Sequence, residues 1–183
     1  SRLKKLDSQS IHSANLVLTN SQYTKDFVKM AYGLPSFVSH LGIDTSFFVP
    51  LAIEKGNFLL SVGALWPGKG HLFILKSLSF IPRHKRPKLV ICYARGSEIF
   101  KKQLQDYATK EDLMLEFVFR PTDKELIKLY NTAQFSVYAP YKEPFGLVPL
   151  ESMACGSPVV GVREAGLCET VVDGETGLLT PRD

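Results

Sequence analysis

The chain has 183 residues, 45% of them apolar, which is enough for one domain with its own core or for one domain and part of another. Charge is mixed with a net of +4, which suits an anionic small ligand and is too small to mark a nucleic-acid-binding surface. Three cysteines without paired spacing argue against a disulfide framework, and no apolar run reaches membrane-spanning length.

The start, SRLKKLDSQS, is polar and basic, so no signal peptide begins here. Position 1 is Ser rather than Met, so the chain reads as processed or as part of something longer. Residues 16–20 (LVLTN) predict a short buried strand. Residues 21–33 predict a helix with Ser21 as N-cap, Phe27, Val28 and Ala31 as its apolar face, and Gly33 as its stop. Residues 35–50 read as a strand that enters a Gly-Ile-Asp turn and continues extended to Pro50.

From residue 57 strand and helix alternate strictly. Strands are expected at 57–65, 87–94, 113–119, 135–140, 158–162 and 177–180. Helices are expected at 69–81, 97–112, 122–133, 145–156 and 167–174. Ser97 is placed to cap the second of these helices, and Thr122 with Glu125 forms a capping box on the third. The basic run at 83–88 falls between a helix and a strand and reads as a solvated loop. Cys92 and Cys155 read as small buried residues rather than nucleophiles. Near-continuous apolar strands separated by helices predict an α/β fold: a Rossmann-like parallel sheet with helices on both faces.

Such sheets bind ligands where the strand carboxyl ends feed the following helices. The loops there read GALWPGKG, ARGS, RPTD, PYKEPFG and REAGLCE. Each carries a charged residue and four carry glycine, so backbone N–H groups and cations converge on one edge, as a nucleoside diphosphate requires. Lys69 supplies a point charge suited to phosphate. No G-x-G-x-x-G follows a strand, which disfavours a nicotinamide oxidoreductase, and no G-x-x-x-x-G-K-S/T occurs.

Two carboxylates, Glu143 and Glu151, flank the start of the helix at 145–156. A rise of ~1.5 Å per residue separates them by at most roughly 12 Å. That is wider than the ~5–9.5 Å of a glycosidase acid–base pair, and it suits the two ends of one extended ligand. The helix start between them favours negative charge. The pattern describes a sugar at one glutamate, a diphosphate over the helix start and a ribose at the other. The plainer alternative keeps Glu143 in a solvated loop and Glu151 on a helix surface.

The stretch EPFGLVPLESMACGSPVVGVREAGLCETVVDGETGLL resembles the family 4 retaining glycosyltransferases of the GT-B fold. It carries their Glu-x7-Glu pair, small-residue helix end, Pro-Val-Val strand and late Asp-Gly-x-x-Gly-Leu-Leu segment. Upstream, SVGALWPGKG looks like the family's strand-loop motif, and LGIDTSFFVP looks like its interdomain linker. The resemblance implies that residues 1–52 are the tail end of an amino-terminal acceptor domain plus linker. Residues 53–183 are then the nucleotide-sugar-binding domain, truncated at its carboxy-terminal end. Glu143 is implied as the catalytic residue at the transferred sugar. Gly63 and Lys69, with Phe145, Gly146 and Leu147 through their backbone N–H groups, are implied donor-binding residues, and Glu151 holds the ribose.

The family usually places arginine directly after the glycine that ends the first strand, where this chain has Ala64. Arg95 or Arg120, in neighbouring loops, is the expected replacement, with Arg95 preferred. The family commonly has glycine near the position of Arg120, which makes the nucleobase pocket unusual. The resemblance implies no metal and no cofactor, the nucleotide-diphosphate sugar being donor substrate. It also implies same-face attack that retains configuration, and a glycan or lipid-linked acceptor bound through the missing domain. Transfer by this polypeptide alone is not expected. The intact enzyme would be cytoplasmic, or peripheral at the inner membrane face. Competing readings are a non-catalytic nucleotide-sugar-binding or interaction domain of the same fold and a nucleotide-sugar epimerase.

Overall fold

The structure, a computed structural model, describes residues 2–182. The amino-terminal part holds helix α1 (Arg2–His12), strand β1 (Leu18–Thr19), helix α2 (Gln22–Tyr32) and strand β2 (Phe37–Val38). The remainder alternates β3 (Phe58–Val62), α3 (His71–Ser79), β4 (Lys88–Tyr93), α4 (Glu98–Lys110), β5 (Leu115–Phe119) and α5 (Asp123–Thr132). It continues with β6 (Ser136–Tyr138), α6 (Leu147–Ala154), β7 (Val159–Val162), α7 (Leu167–Thr170) and β8 (Gly177–Thr180). Short 3-10 turns lie at Pro67–Lys69 and Arg83–Lys85.

β1 and β2 pair with each other, while the other six strands form one wholly parallel sheet in the order β5-β4-β3-β6-β7-β8. Strands β3, β4 and β5 therefore add outward in one direction, and β6, β7 and β8 add in the other. The reversal falls between β3 and β6, and it leaves a crevice outside their carboxyl ends because the loops there turn to opposite faces.

Strand pleating sorts the apolar residues between two cores. Leu59, Leu89 and Ile91 face α3 and α4, joining Ile74, Leu75, Leu78, Phe100 and Leu104. Their neighbours in the chain, Leu60, Val90 and Cys92, face the other way, onto Tyr130 of α5 and Cys155 after α6. Each buried leucine contributes about 1.5–3 kcal/mol, and strands buried on both faces need the near-continuous apolar runs seen in the sequence.

Local signals set several helix ends. Ser21 accepts from the Thr24 N–H, Ser97 from the Phe100 N–H, and Gly33 closes α2 in the left-handed conformation. Thr122 and Glu125 form the reciprocal capping box. Other expectations needed correction. Residues 2–12 are helical, although their polar composition drew no assignment. The strands expected at 16–20 and 35–50 shrink to two residues each, and Asp44 turns the chain by accepting from the Ser46 N–H and hydroxyl. On α2 only Val28 is buried while Phe27 and Ala31 are exposed, because a sheet of two short strands is too small to cover the whole stripe. The basic run is not uniformly solvated: the Arg86 guanidinium donates to the carbonyls of Ile81, Ser79 and Glu111, tying the ends of α3 and α4 together.

The expected helix at 69–81 begins two residues late, and that delay shapes the crevice. Pro67–Lys69 form a 3-10 turn, and Gly70 then enters α3 at φ +77°. A Cβ at Gly70 would lie 1.8 Å from the Ala139 carbonyl oxygen at the end of β6. The Tyr141 N–H donates to the Gly68 carbonyl at 2.8 Å. The loop after β3 is thus pressed onto the loop after β6 at a position only glycine fits. Gly70→Ala is expected to destabilise the fold by at least about 2 kcal/mol, from the left-handed penalty and the backbone clash together. Urea denaturation against the parent chain checks it.

Candidate functional site

The loops after β3 and β6 bring two opposite charges together across the strand-order reversal. Lys69, on the 3-10 turn, places its Nζ 2.8 Å from Glu143 Oε2. Both side chains are partly buried, at 34% and 19% exposure, so the pair is shielded from bulk water without being sealed off. Beneath it, the Tyr138 hydroxyl of β6 donates to the same carboxylate oxygen at 3.2 Å. Burial and then the Glu143 charge push the Tyr138 phenol well above its ordinary pKa, so it stays a neutral donor.

Three residues on, Gly146 takes φ +96° as the N-cap of α6, turning the chain from the Glu143 loop into the helix. Leu147 begins α6, two residues later than the sequence suggests, and its side chain is partly exposed. Phe145 is buried, with its ring 5.7 Å from that of His40 in the segment after β2. The Gly166 N–H donates to the Glu143 carbonyl and the Thr170 hydroxyl to the Phe145 carbonyl, which fixes the turn from below. Glu151 lies on the second turn of α6, where Tyr130 of α5 donates its hydroxyl to Oε2 at 2.6 Å. Burial raises the Glu151 pKa, and the Tyr130 hydrogen bond opposes that rise.

On the other side of β3 a cleft of about 660 Å³ opens at the ends of β3, β4 and β5. Gly63, Ala64, Arg95 and Arg120 line it, with Trp66 and Tyr93. The arginines are exposed. Arg120 adopts φ +47°, a conformation a glycine takes freely and an arginine only at a cost, and its guanidinium lies over the Phe119 ring. At the root of this loop His71 is 1% exposed. One ring nitrogen faces the Ser61 hydroxyl at 3.0 Å and the other the Ala64 carbonyl at 3.2 Å. Because a carbonyl only accepts, Nε2 carries the proton, and Nδ1 accepts from Ser61. His71 thereby fastens the Ala64 turn to β3.

The structure therefore gathers the candidate residues into two adjoining groups. Gly63, Arg95 and Arg120 line the cleft. Lys69, Glu143, Phe145, Gly146, Leu147 and Glu151 lie along the β6 loop, the 3-10 turn and α6. Three supporting residues went unnoticed in the sequence: Tyr130, Tyr138 and His71. Only their polar tips distinguish them from core residues, and nothing local says what those tips meet. Among the described residues no group of three or more His, Cys, Asp or Glu is gathered as a metal site requires. Among the same residues no helix is long and apolar enough to cross a membrane.

A parallel sheet with this strand reversal, helices on both faces and a charged crevice at the carboxyl edge has the Rossmann-like form of the GT-B glycosyltransferases. The chain belongs to the family Glycosyl transferases group 1, which matches residues 42–183. It is 32% identical over 177 residues to a D-inositol 3-phosphate glycosyltransferase of Arthrobacter sp. (strain FB24), covering 87% of this chain and 40% of that protein. It is 24% identical to an alpha-1,3/1,6-mannosyltransferase of Schizosaccharomyces pombe, covering 97% and 43% respectively. Among solved structures, sucrose-phosphate synthase from Thermosynechococcus elongatus superposes with a TM-score of 0.86 at 23% identity, over 98% of this chain and 48% of that one. Anabaena HepE in complex with UDP-glucose superposes with a TM-score of 0.79 at 25% identity, over 92% and 50%. The chain thus spans about two fifths of the length of these curated relatives and about half of these solved chains.

His71 carries a pH signature. Burial lowers its pKa to about 4, against an ordinary value of 6.5. Between these values the unfolded chain binds a proton that the folded chain refuses, so stability is full above pH 6.5 and falls as pH drops toward 4. The loss expected over that window is roughly 3 kcal/mol. Denaturation from pH 7 to pH 4 should show the slope, and His71→Gln should flatten it.

Proposed function

We propose that this chain is the donor-binding part of a metal-independent, retaining glycosyltransferase. The reaction moves a hexose from GDP-mannose or a UDP-sugar to a glycan or lipid-linked acceptor. Residues 1–52 are read as the end of an acceptor domain with its linker, and residues 53–183 as the donor domain. The intact enzyme is placed in the cytoplasm or at the inner membrane face, its acceptor bound by parts beyond this chain. The observation that carries the reading is the Lys69–Glu143 pair at the strand reversal, with Glu151 on α6, the helix that follows the Glu143 loop. The UDP-glucose held by Anabaena HepE and the mannosyltransferase name of the Schizosaccharomyces relative support the donor classes.

The geometry suggests a division of labour. A diphosphate entering the crevice meets Lys69, whose ammonium exchanges the Glu143 carboxylate for phosphate oxygens. Glu143, still held by Tyr138, is then free to accept from a sugar hydroxyl and to stabilise positive charge at the anomeric carbon. The start of α6 favours the anionic middle of the donor. As the glycosidic bond breaks, charge grows on the departing diphosphate, and Lys69 with Arg95 neutralises it. Glu151 accepts from the ribose hydroxyls, while the cleft beneath Arg120 takes the nucleobase. Retention follows if the acceptor attacks from the face that the diphosphate leaves, the phosphate taking the acceptor proton.

A thermal-shift and calorimetric panel of UDP, GDP, ADP, CDP and their sugar conjugates tests the reading. One nucleotide should raise the melting temperature, corresponding to about 2.7 kcal/mol at a hundredfold excess over its Kd. Lys69→Ala and Glu151→Ala should abolish the shift. A panel without any shift, or variants that bind as the parent does, would overturn the donor assignment. Arg95→Ala should weaken binding about tenfold, the value of one charge-assisted contact. Unchanged affinity in that variant would remove Arg95 as the replacement for the arginine absent at Ala64. The chain alone should give no transfer with donor and generic acceptors, because catalysis needs both substrates held together. Turnover above background would refute that.

A further inference from the structure

We propose that Tyr130 is the positioning residue of Glu151, and that the segment at residues 48–51 seats it. The inference rests on the reading of Glu151 as the ribose ligand and adds the device that keeps its carboxylate oriented and ionised. Tyr130 is fully buried, and its hydroxyl lies 2.6 Å from Glu151 Oε2. Among the described residues no protein hydrogen bond reaches Oε1, so that oxygen is left for a ligand. The ring cannot swing away, because Phe48 packs edge-on against it at 6.2 Å. The next residue, Asn131, is also buried and donates to the Val49 carbonyl while accepting from the Leu51 N–H at 2.6 Å. Two consecutive residues of α5 therefore hold the connecting segment and the glutamate together.

The electrostatics leave this role to Tyr130. The ionisable groups facing Glu151 are Cys92 from β4, Cys155 from the end of α6, and Tyr138 from β6, with Lys55 beyond Cys155. Burial pushes the Cys92 thiol up to about 11 and raises the Cys155 thiol and the Tyr138 phenol, so all three are neutral near pH 7. The Tyr130 phenol, raised by burial and by the Glu151 charge, is a permanent donor at any working pH. Burial raises the Glu151 pKa and the Tyr130 hydrogen bond lowers it, so this donor shifts the carboxyl toward its anion and fixes one of its oxygens in place.

The test is calorimetric titration of this chain with UDP and GDP from pH 5 to pH 8, on Tyr130→Phe, Glu151→Gln and the double variant. In the parent, affinity should fall as pH drops through the Glu151 pKa. Tyr130→Phe should weaken binding about tenfold at pH 7 and move that midpoint to higher pH, since the bond that lowers the carboxyl pKa is gone. In the Glu151→Gln background, Tyr130→Phe should cost nothing further, the coupling expected of a residue that acts through another. If Glu151→Gln binds as the parent does, the ribose reading fails. If Glu151→Gln weakens binding while Tyr130→Phe leaves affinity and midpoint unchanged, or weakens both backgrounds equally, the positioning role fails and the ribose reading stands. Should Tyr130→Phe not fold, Phe48→Leu, which loosens the ring and keeps the hydroxyl, is read by the same cycle. It should weaken binding only where Glu151 is present, and equal weakening in both backgrounds, or none, would overturn the proposal.

Discussion

The charged crevice depends on the reversal of strand order between β3 and β6. Two loops that leave neighbouring strands and turn to opposite faces of the sheet create an opening, and what they carry decides its chemistry. Here they carry a lysine and a glutamate whose charged atoms meet at 2.8 Å. The contact would drift if either loop could move independently. Gly70 prevents this by admitting the Ala139 carbonyl where any side chain would stand, and the Tyr141–Gly68 hydrogen bond closes the gap. The backbones are locked first, and the ion pair inherits its geometry from them.

A second layer supports the polar groups from inside. Tyr138 and Tyr130 lie on different elements, yet each sends a hydroxyl from an apolar setting to one of the two glutamates. His71 does the same for the Ala64 turn. All three satisfy a polar atom at the crevice wall while their rings belong to the cores, so packing that stabilises the sheet also orients the site. A buried hydroxyl is matched to a carboxylate oxygen in each tyrosine pair, so neither phenol is left with an unmet hydrogen bond where desolvation would be costly.

The amino-terminal part meets the same region from outside. His40 stacks on Phe145 and reaches Glu169, and Glu169 accepts the first two N–H groups of α2. Burial works against the Glu169 charge, but these N–H donors and His40 outweigh it and hold the carboxyl below its ordinary pKa. The small β1–β2 unit is thus fastened to the six-stranded unit next to the turn that follows Glu143, while residues 48–51 are fastened to α5 behind Glu151. In the proposed enzyme, the relative placement of donor and acceptor parts would be felt at both glutamates.

Much of this architecture is local and therefore legible in the chain. Alternation of apolar runs with amphipathic segments specifies a parallel sheet covered on both faces. Ser21, Ser97, Thr122 with Glu125, and Gly33 mark helix ends by chemistry within four residues of themselves. The spacing of Glu143 and Glu151 about a helix start, with Lys69 in the first loop, singles out one edge of that sheet. Where local signals were weak the reading failed: α1 has only Leu3, Leu6 and Ile11 among polar residues, and β1 and β2 are too short to show a period. What the tertiary structure alone decided is which side chains meet. Lys69 and Glu143 are 74 residues apart, and Tyr130 and Glu151 are 21 apart. Tyrosine in an apolar run looks the same whether its hydroxyl reaches water, a carbonyl or a carboxylate. The strand order settles that, because it sets which loops share the crevice and which ring tips lie under its charges.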